Sequence, residues 1–190
     1  MKILVVVDVQ NDFISGKLGS YSAQCKVPVI REKIQGLSTD KERVIIVFTK
    51  DSHNISTYTP ENTVEASLIP LHCEPFTEGS QIESSIIETA RNKVGMDSFY
   101  IRTKDRPGCM KWAETIEDIE EYYEESISEI EIVGFCTDIC VITNFILLRT
   151  LLPATRIVID ASCCAGTTPE AHYFALQIIK SCMGEVINEH

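Results

Sequence analysis

Short runs rich in Val and Ile, each separated from the next by a stretch of helical period, constrain this chain's fold more than any other feature. Runs at residues 3–7, 44–49, 99–103, 130–135 and 156–160 are nearly continuous in apolar side chains, and a weaker one follows at 185–188. Between them, apolar residues recur at helical spacing over 27–37, 81–92, 111–124, 141–152 and 169–182. A strand with one wet face alternates apolar and polar residues, whereas a continuous apolar run needs cover on both faces. The pattern therefore predicts an α/β fold in which helices cover both faces of a parallel sheet. Right-handed crossovers then bring every strand's C-terminal end to one edge, where such folds bind ligands. A chain of 190 residues holds one sizeable core and is short for two, so a single domain over 1–190 is expected.

Charge and cysteine usage narrow the function. A net charge of −11 disfavours nucleic acid and anionic membrane as partners, because both are bound through clustered Lys and Arg. Much of the negative charge falls in 114–131, which reads as a solvated helix face. The opening run at 3–7 meets Asp8 too soon to be a signal-peptide core or a membrane span. Eight cysteines lie mostly in apolar or strand-end contexts, with Cys163 and Cys164 adjacent, and do not read as a disulfide framework. A reduced, cytoplasmic protein is expected, with one special cysteine and several buried ones.

The special cysteine is Cys140, in Thr137-Asp138-Ile139-Cys140-Val141, between a strand-like run and a helical stretch. A thiol there lies near unpaired helix N–H groups and the positive end of the helix dipole, which favour thiolate and offer donors to an oxyanion. Thr137 and Asp138 equally suit plain N-cap roles. Two other runs end in residues that could serve the thiol: 3–7 in Asp8 and 99–103 in Lys104. A nucleophilic thiol needs a base that takes its proton and returns it to a leaving group. Asp8 fits that role, with Lys104 holding thiolate and carboxylate electrostatically.

The segment 51–79 has no clear period and carries Pro60, Pro70 and Pro75. Long irregular segments inside compact domains are commonly functional. This one offers Asp51, His53, Glu65 and His72, a mixed oxygen and nitrogen set suited to Zn²⁺, Mn²⁺ or Fe²⁺. Cys73 is a softer alternative ligand.

At these residues the chain resembles the isochorismatase-like cysteine hydrolases, and within them the nicotinamidase branch. The resemblance runs nearly end to end and is carried by Asp8-Val-Gln-Asn-Asp-Phe13, Asp51-Ser-His53, Pro70-Leu-His72-Cys73, Lys104 and Gly134-Phe-Cys-Thr-Asp-Ile-Cys-Val141. It implies a Rossmann-like three-layer sandwich with a six-stranded parallel sheet and an Asp8–Lys104–Cys140 triad. It also implies a cis peptide at Phe135–Cys136, with the Cys136 and Cys140 amides as oxyanion hole. The metal ligands would be Asp51, His53 and His72, with Glu65 added as in some members, and zinc is the first choice of metal. Nicotinamide would be the leading small-molecule amide substrate, held against Phe13, and a homo-oligomer is expected. The alternatives are another amide or ureido hydrolase, an isochorismatase-type hydrolase, or a non-catalytic ligand-binding relative. The chain departs from the nicotinamidase pattern twice. Ile69 stands where a Trp is usual, and Asp105-Arg-Pro-Gly-Cys109 follows the lysine. Both segments are expected to wall the substrate pocket.

Overall fold

The computed structural model of the protein describes residues 1–189. Six strands, β1 (Lys2–Val7), β2 (Val44–Asp51), β3 (Phe99–Lys104), β4 (Glu129–Phe135), β5 (Arg156–Ala165) and β6 (Glu185–Ile187), form one sheet in the order β3-β2-β1-β4-β5-β6. Every pairing is parallel. The helices are α1 (Asn11–Ile14), α2 (Tyr21–Gln35), α3 (Ser84–Val94), α4 (Trp112–Tyr123), α5 (Ile142–Leu151) and α6 (Pro169–Ser181). Among the described residues, no helix is long and apolar enough to cross a membrane.

The period of two in the strands sorts side chains onto two cores. Ile3, Val5 and Val7 of β1 face one side, where they pack with Trp112 and Ile119 of α4, Phe145 and Leu148 of α5, and Leu176 and Ile179 of α6. Leu4 and Val6 face the other, against Ile30 and Ile34 of α2 and Ile86 of α3. The expected three-layer α/β sandwich is what the chain adopts. β5 runs through Ala165, past the expected end at 160, and Cys163 and Cys164 there point into opposite cores. α2 begins six residues ahead of its apolar pattern because the Ser20 hydroxyl accepts the Ala23 N–H and caps an otherwise exposed first turn.

The strand order reverses between β1 and β4, so the connections after these two strands diverge and leave a crevice beyond their C-terminal ends. Asp8 follows β1, Asp51 and Lys104 close β2 and β3, and the turn bearing Cys140 follows β4. β1 and β4 approach so closely at this edge that a Cβ on Gly134 would lie 2.1 Å from the Val7 carbonyl oxygen, and Gly134 itself has φ +119°.

Candidate active site

β1 ends where Asp8 turns into the left-handed region at φ +48°, a conformation Asp tolerates. Its carboxylate is fully buried and held from two sides. The Thr49 hydroxyl donates to Asp8 Oδ1 at 2.7 Å, and Lys104 Nζ lies 2.7 Å from Oδ2. Lys104 Nζ also lies 3.3 Å from Asp51 Oδ1 and donates to Cys140 Sγ at 3.8 Å. One buried ammonium thus touches both candidate catalytic partners and the first of the candidate metal ligands. Burial works against the Lys104 charge, but Asp8, Cys140 and Asp51 outweigh it and raise the ammonium well above its ordinary range.

Cys140 sits in a single π-helical turn, Thr137–Val141, ahead of α5, and is nearly buried. The peptide Phe135–Cys136 before it is cis. Burial comes first and drives the Cys140 thiol well above its ordinary range; Lys104 opposes it, and the Asp8 and Asp51 charges reinforce it. The helix-terminal position favours the thiolate, and desolvation of the buried sulfur works against it. Burial likewise raises Asp8 against the pull of Lys104, which makes it a stronger base.

Thr137 and Asp138 are not side-chain caps, because the turn they open is π-helical and directs them sideways onto the segment after β5. Thr137 Oγ1 and His172 Nδ1 share a hydrogen bond of 2.7 Å, and Asp138 accepts both the Thr167 N–H and its hydroxyl. Buried Asn144 anchors the same turn. Its Nδ2 donates to the Cys140 carbonyl at 2.8 Å, and its Oδ1 accepts from the Cys109 N–H and Trp112 Nε1. Thr49, Asn144 and His172 escaped the sequence reading; only a polar residue inside an apolar run, as for Thr49 and Asn144, could have marked them.

The irregular segment brings Asp51, His53, Glu65 and His72 together, with one donor atom from each within 4.8 Å of the others. Asp51 Oδ2 lies 3.1 Å from His53 Nε2 and 3.3 Å from His72 Nε2, and Glu65 Oε1 lies 3.7 and 3.9 Å from the same nitrogens. His72 Nδ1 donates to the Pro70 carbonyl at 2.9 Å, which fixes the ring with Nε2 facing the cluster. Two imidazole nitrogens and two carboxylate oxygens converging on one point suit a divalent transition metal. Burial would raise Asp51, but hydrogen bonds from both histidines and the Lys104 charge outweigh it and hold the carboxyl well below its usual range. Cys73 is not part of this group of donors. Its N–H is taken by Asp12, and burial pushes its thiol upward. Tyr58, also unanticipated, lays its ring 4.5 Å from that of His53 and 5.8 Å from that of His72, with its hydroxyl donating to the Ile69 carbonyl.

Both clusters open onto one cleft of about 280 Å³, to which Asp51, Glu65, His72, Cys136 and Cys140 contribute polar groups. Its apolar walls are mostly aliphatic, from Leu18, Leu68, Ile69 and Ile139; Phe13 stands edge-on to His72 with ring centres 5.3 Å apart. Ile69 lines the cleft as expected. Residues 105–109 do not, since Asp105 and Arg106 pair with each other on the outer side of the candidate metal-ligand cluster and Gly108 packs on α5.

The profile of the isochorismatase domain matches residues 2–190. The nicotinamidase of Saccharomyces cerevisiae is 27% identical over 198 residues, covering 90% of this chain and 91% of that one. The crystal structure of nicotinamidase PncA from Bacillus subtilis superposes with TM-score 0.81 at 24% identity, covering 98% of this chain and 99% of that one. The pyrazinamidase of Pyrococcus horikoshii in complex with zinc superposes with TM-score 0.76 at 20% identity, covering 98% of each chain. At such identities the solved structures speak for the fold.

Proposed function

This chain belongs to the isochorismatase family, and from that premise we propose that it is a metal-assisted cysteine amidase, acting as one domain over 1–190 on a small neutral amide, with nicotinamide the leading substrate. The observation that carries the reading is the meeting of Asp8 and Lys104 with Cys140, which lines a cleft together with Asp51, Glu65 and His72 of the four-residue donor cluster. The yeast nicotinamidase, matched along nearly its whole length, supports an amide as the bond cleaved.

In this mechanism Cys140 Sγ attacks the amide carbonyl while its proton passes to Asp8, and Lys104 stabilises the sulfur's developing charge. The Cys136 and Cys140 amides receive the oxyanion, a contribution of about 3 kcal/mol for each donor. Asp8 returns the proton to the nitrogen as the C–N bond breaks, and ammonia leaves a thioester on Cys140. Water, deprotonated by Asp8, then cleaves the thioester, releasing the carboxylic acid and restoring the thiol. Asp51, His53 and His72 would hold a divalent metal, with Glu65 as the fourth group. The zinc in the Pyrococcus horikoshii neighbour supports zinc as the first candidate. Such a metal supplies an electrophilic seat for a ring nitrogen of the substrate.

The test is ammonia release from a panel of amides, with metal content measured alongside. Nicotinamide should turn over, Cys140→Ala should not, and mass spectrometry should find an electrophile adduct on Cys140. Benzamide should be far slower, having no ring nitrogen to offer. Turnover that survives in Cys140→Ala would sink the mechanism, and equal rates for nicotinamide and benzamide would remove nicotinamide as the substrate.

A further inference from the structure

The stretch Gln10-Asn11-Asp12, just beyond Asp8, lies outside the chemistry above, yet two of its side chains are buried and fully engaged. In a parallel sheet alternate residues turn their backbone groups to opposite neighbours. The Ser52 N–H donates to the Lys104 carbonyl on the β3 side, so the backbone of Asp51 faces β1. But β1 has already ended at Val7 and Asp8 turns away. The Gln10 carboxamide stands where the strand would have continued. Its Oε1 accepts the Asp51 N–H at 2.7 Å, and its Nε2 donates to the Asp51 carbonyl at 2.9 Å. The second hydrogen on Nε2 goes to the Ser80 carbonyl at 3.0 Å, which ties in the end of the irregular segment.

Asp12 does the equivalent for His72. Its Oδ2 accepts the N–H of Cys73, the next residue along, at 2.7 Å, and Oδ1 accepts the Lys17 N–H at 3.2 Å. Among the described residues no Lys, Arg or His nitrogen lies within 4.0 Å of this carboxylate, so main-chain N–H groups alone satisfy it. A Cβ on Gly79 would lie 2.4 Å from the carboxylate atoms, so that glycine keeps the space the carboxylate occupies. The Asn11 and Asp12 N–H groups donate to the Gln81 and Gly79 carbonyls, closing the loop from the other side.

We propose that Gln10 and Asp12 are positioning residues for the metal cluster: they bond the backbones at Asp51 and Cys73, and so set the spacing of Asp51 from His72 without themselves being ligands. The inference rests on the metal reading above. A ligand set is only as tight as the groups that orient it, and removing such a group lowers metal affinity about 10- to 100-fold. An amide hydrogen-bonded to both backbone groups of one ligand, and a carboxylate beside the other, are placed to do this.

The experiment titrates metal-free full-length protein with Zn²⁺ against a competing chelator, and records the visible spectrum of the Co²⁺-loaded form. Gln10→Glu puts an acceptor against the Asp51 and Ser80 carbonyls, and Asp12→Ala removes the bond to Cys73. Each should bind Zn²⁺ about 10- to 100-fold more weakly and shift the Co²⁺ bands at saturation. Asp12→Asn, which keeps an acceptor for the Cys73 N–H, should recover most of the affinity even if Asp12→Ala folds poorly. A core change far from the site, Ile119→Val, gives the control for stability alone and should leave affinity unchanged. Folded Gln10 and Asp12 variants that bind zinc within twofold of wild type would overturn the proposal, as would an equal loss in Ile119→Val. Wild-type protein that binds no zinc, like His53→Ala, would overturn the metal reading and the clamp with it.

Discussion

The ammonium of Lys104 is enclosed by Asp8, Asp51 and the Cys140 sulfur, so its removal strands two buried carboxylates with like charge. Breaking a buried ion pair by deleting one partner costs about 3–5 kcal/mol, because the charge left behind stays desolvated. Lys104→Ala is therefore expected to lower unfolding free energy by about that amount in urea titrations, and to abolish turnover. Cys140→Ala should abolish turnover at a cost of only about 1 kcal/mol, since it deletes a single buried atom. A Lys104→Ala protein as stable as wild type would mean that the carboxylates are not both charged in the folded state. Which residues meet here was legible in the sequence, because each ends or follows a strand at the same sheet edge. Their charge states were not. The favourable helix terminus at Cys140 can be read locally, whereas the burial that opposes it depends on the fold, which brings Phe13 and Ala165 from elsewhere in the chain to the cleft that Cys140 lines. The roles of Thr49, Asn144 and Gln10 were not legible for a similar reason: each acts through one hydrogen-bond geometry, which spacing does not encode.

At the scale of elements, α2 is docked onto the sheet by a charge as well as by Ile30 and Ile34. Lys33 Nζ lies 2.5 Å from Glu131 on β4 and 2.6 Å from Asp160 on β5. Burial pushes the Asp160 carboxyl up, but hydrogen bonds from Lys33, Ser162 and Asn188 outweigh it and hold the group below its usual range. A carboxyl lowered by folding adds stability above its unfolded value, about 3.9, and loses it as pH falls through the folded value. Lys33 moves oppositely: burial lowers it, its two carboxylate partners outweigh that, and the net shift is upward. Its share is full below the unfolded value, about 10.4, and fades as pH rises through the folded one. Lys33→Met should therefore cost about 2 kcal/mol between roughly pH 5 and 10, and the gap from wild type should close on acidification below about pH 4. Thermal melts across that range check it, and a pH-independent gap would assign the loss to packing. The strands were readable because sheet burial on both faces leaves continuous apolar runs. The first turns of α2 were not, since Tyr21, Ser22, Gln24 and Cys25 are exposed and carry no apolar period.

At the scale of the molecule, the reversal of strand order between β1 and β4 turns the connections after β1, β2 and β4 into one cleft. The segment after β2 supplies the candidate metal-ligand wall along with Leu68 and Ile69, while the turn after β4 supplies the proposed nucleophile and Ile139. Among the described residues that line the cleft there is no Lys or Arg, so its surface suits a neutral amide. Its walls are mostly aliphatic because Ile69 stands where the nicotinamidase pattern has a Trp, and Phe13 is turned edge-on to His72. A planar ring therefore gains contact area but little aromatic stacking, a geometry worth about 0.5–1.5 kcal/mol beyond area. Restoring the indole with Ile69→Trp should lower KM for nicotinamide about 2- to 10-fold, since 1.4 kcal/mol is a factor of ten, while kcat changes little. The Tyr58 hydroxyl bonds the Ile69 carbonyl rather than its side chain, so the substitution leaves that anchor in place. Steady-state kinetics on nicotinamide and on a non-aromatic amide of similar size decide the matter. A KM that falls for the ring alone places the substrate ring against residue 69. Equal changes for both amides would mean that the indole only narrows the entrance, and a rise for nicotinamide would mean that this cleft is shaped for a different amide.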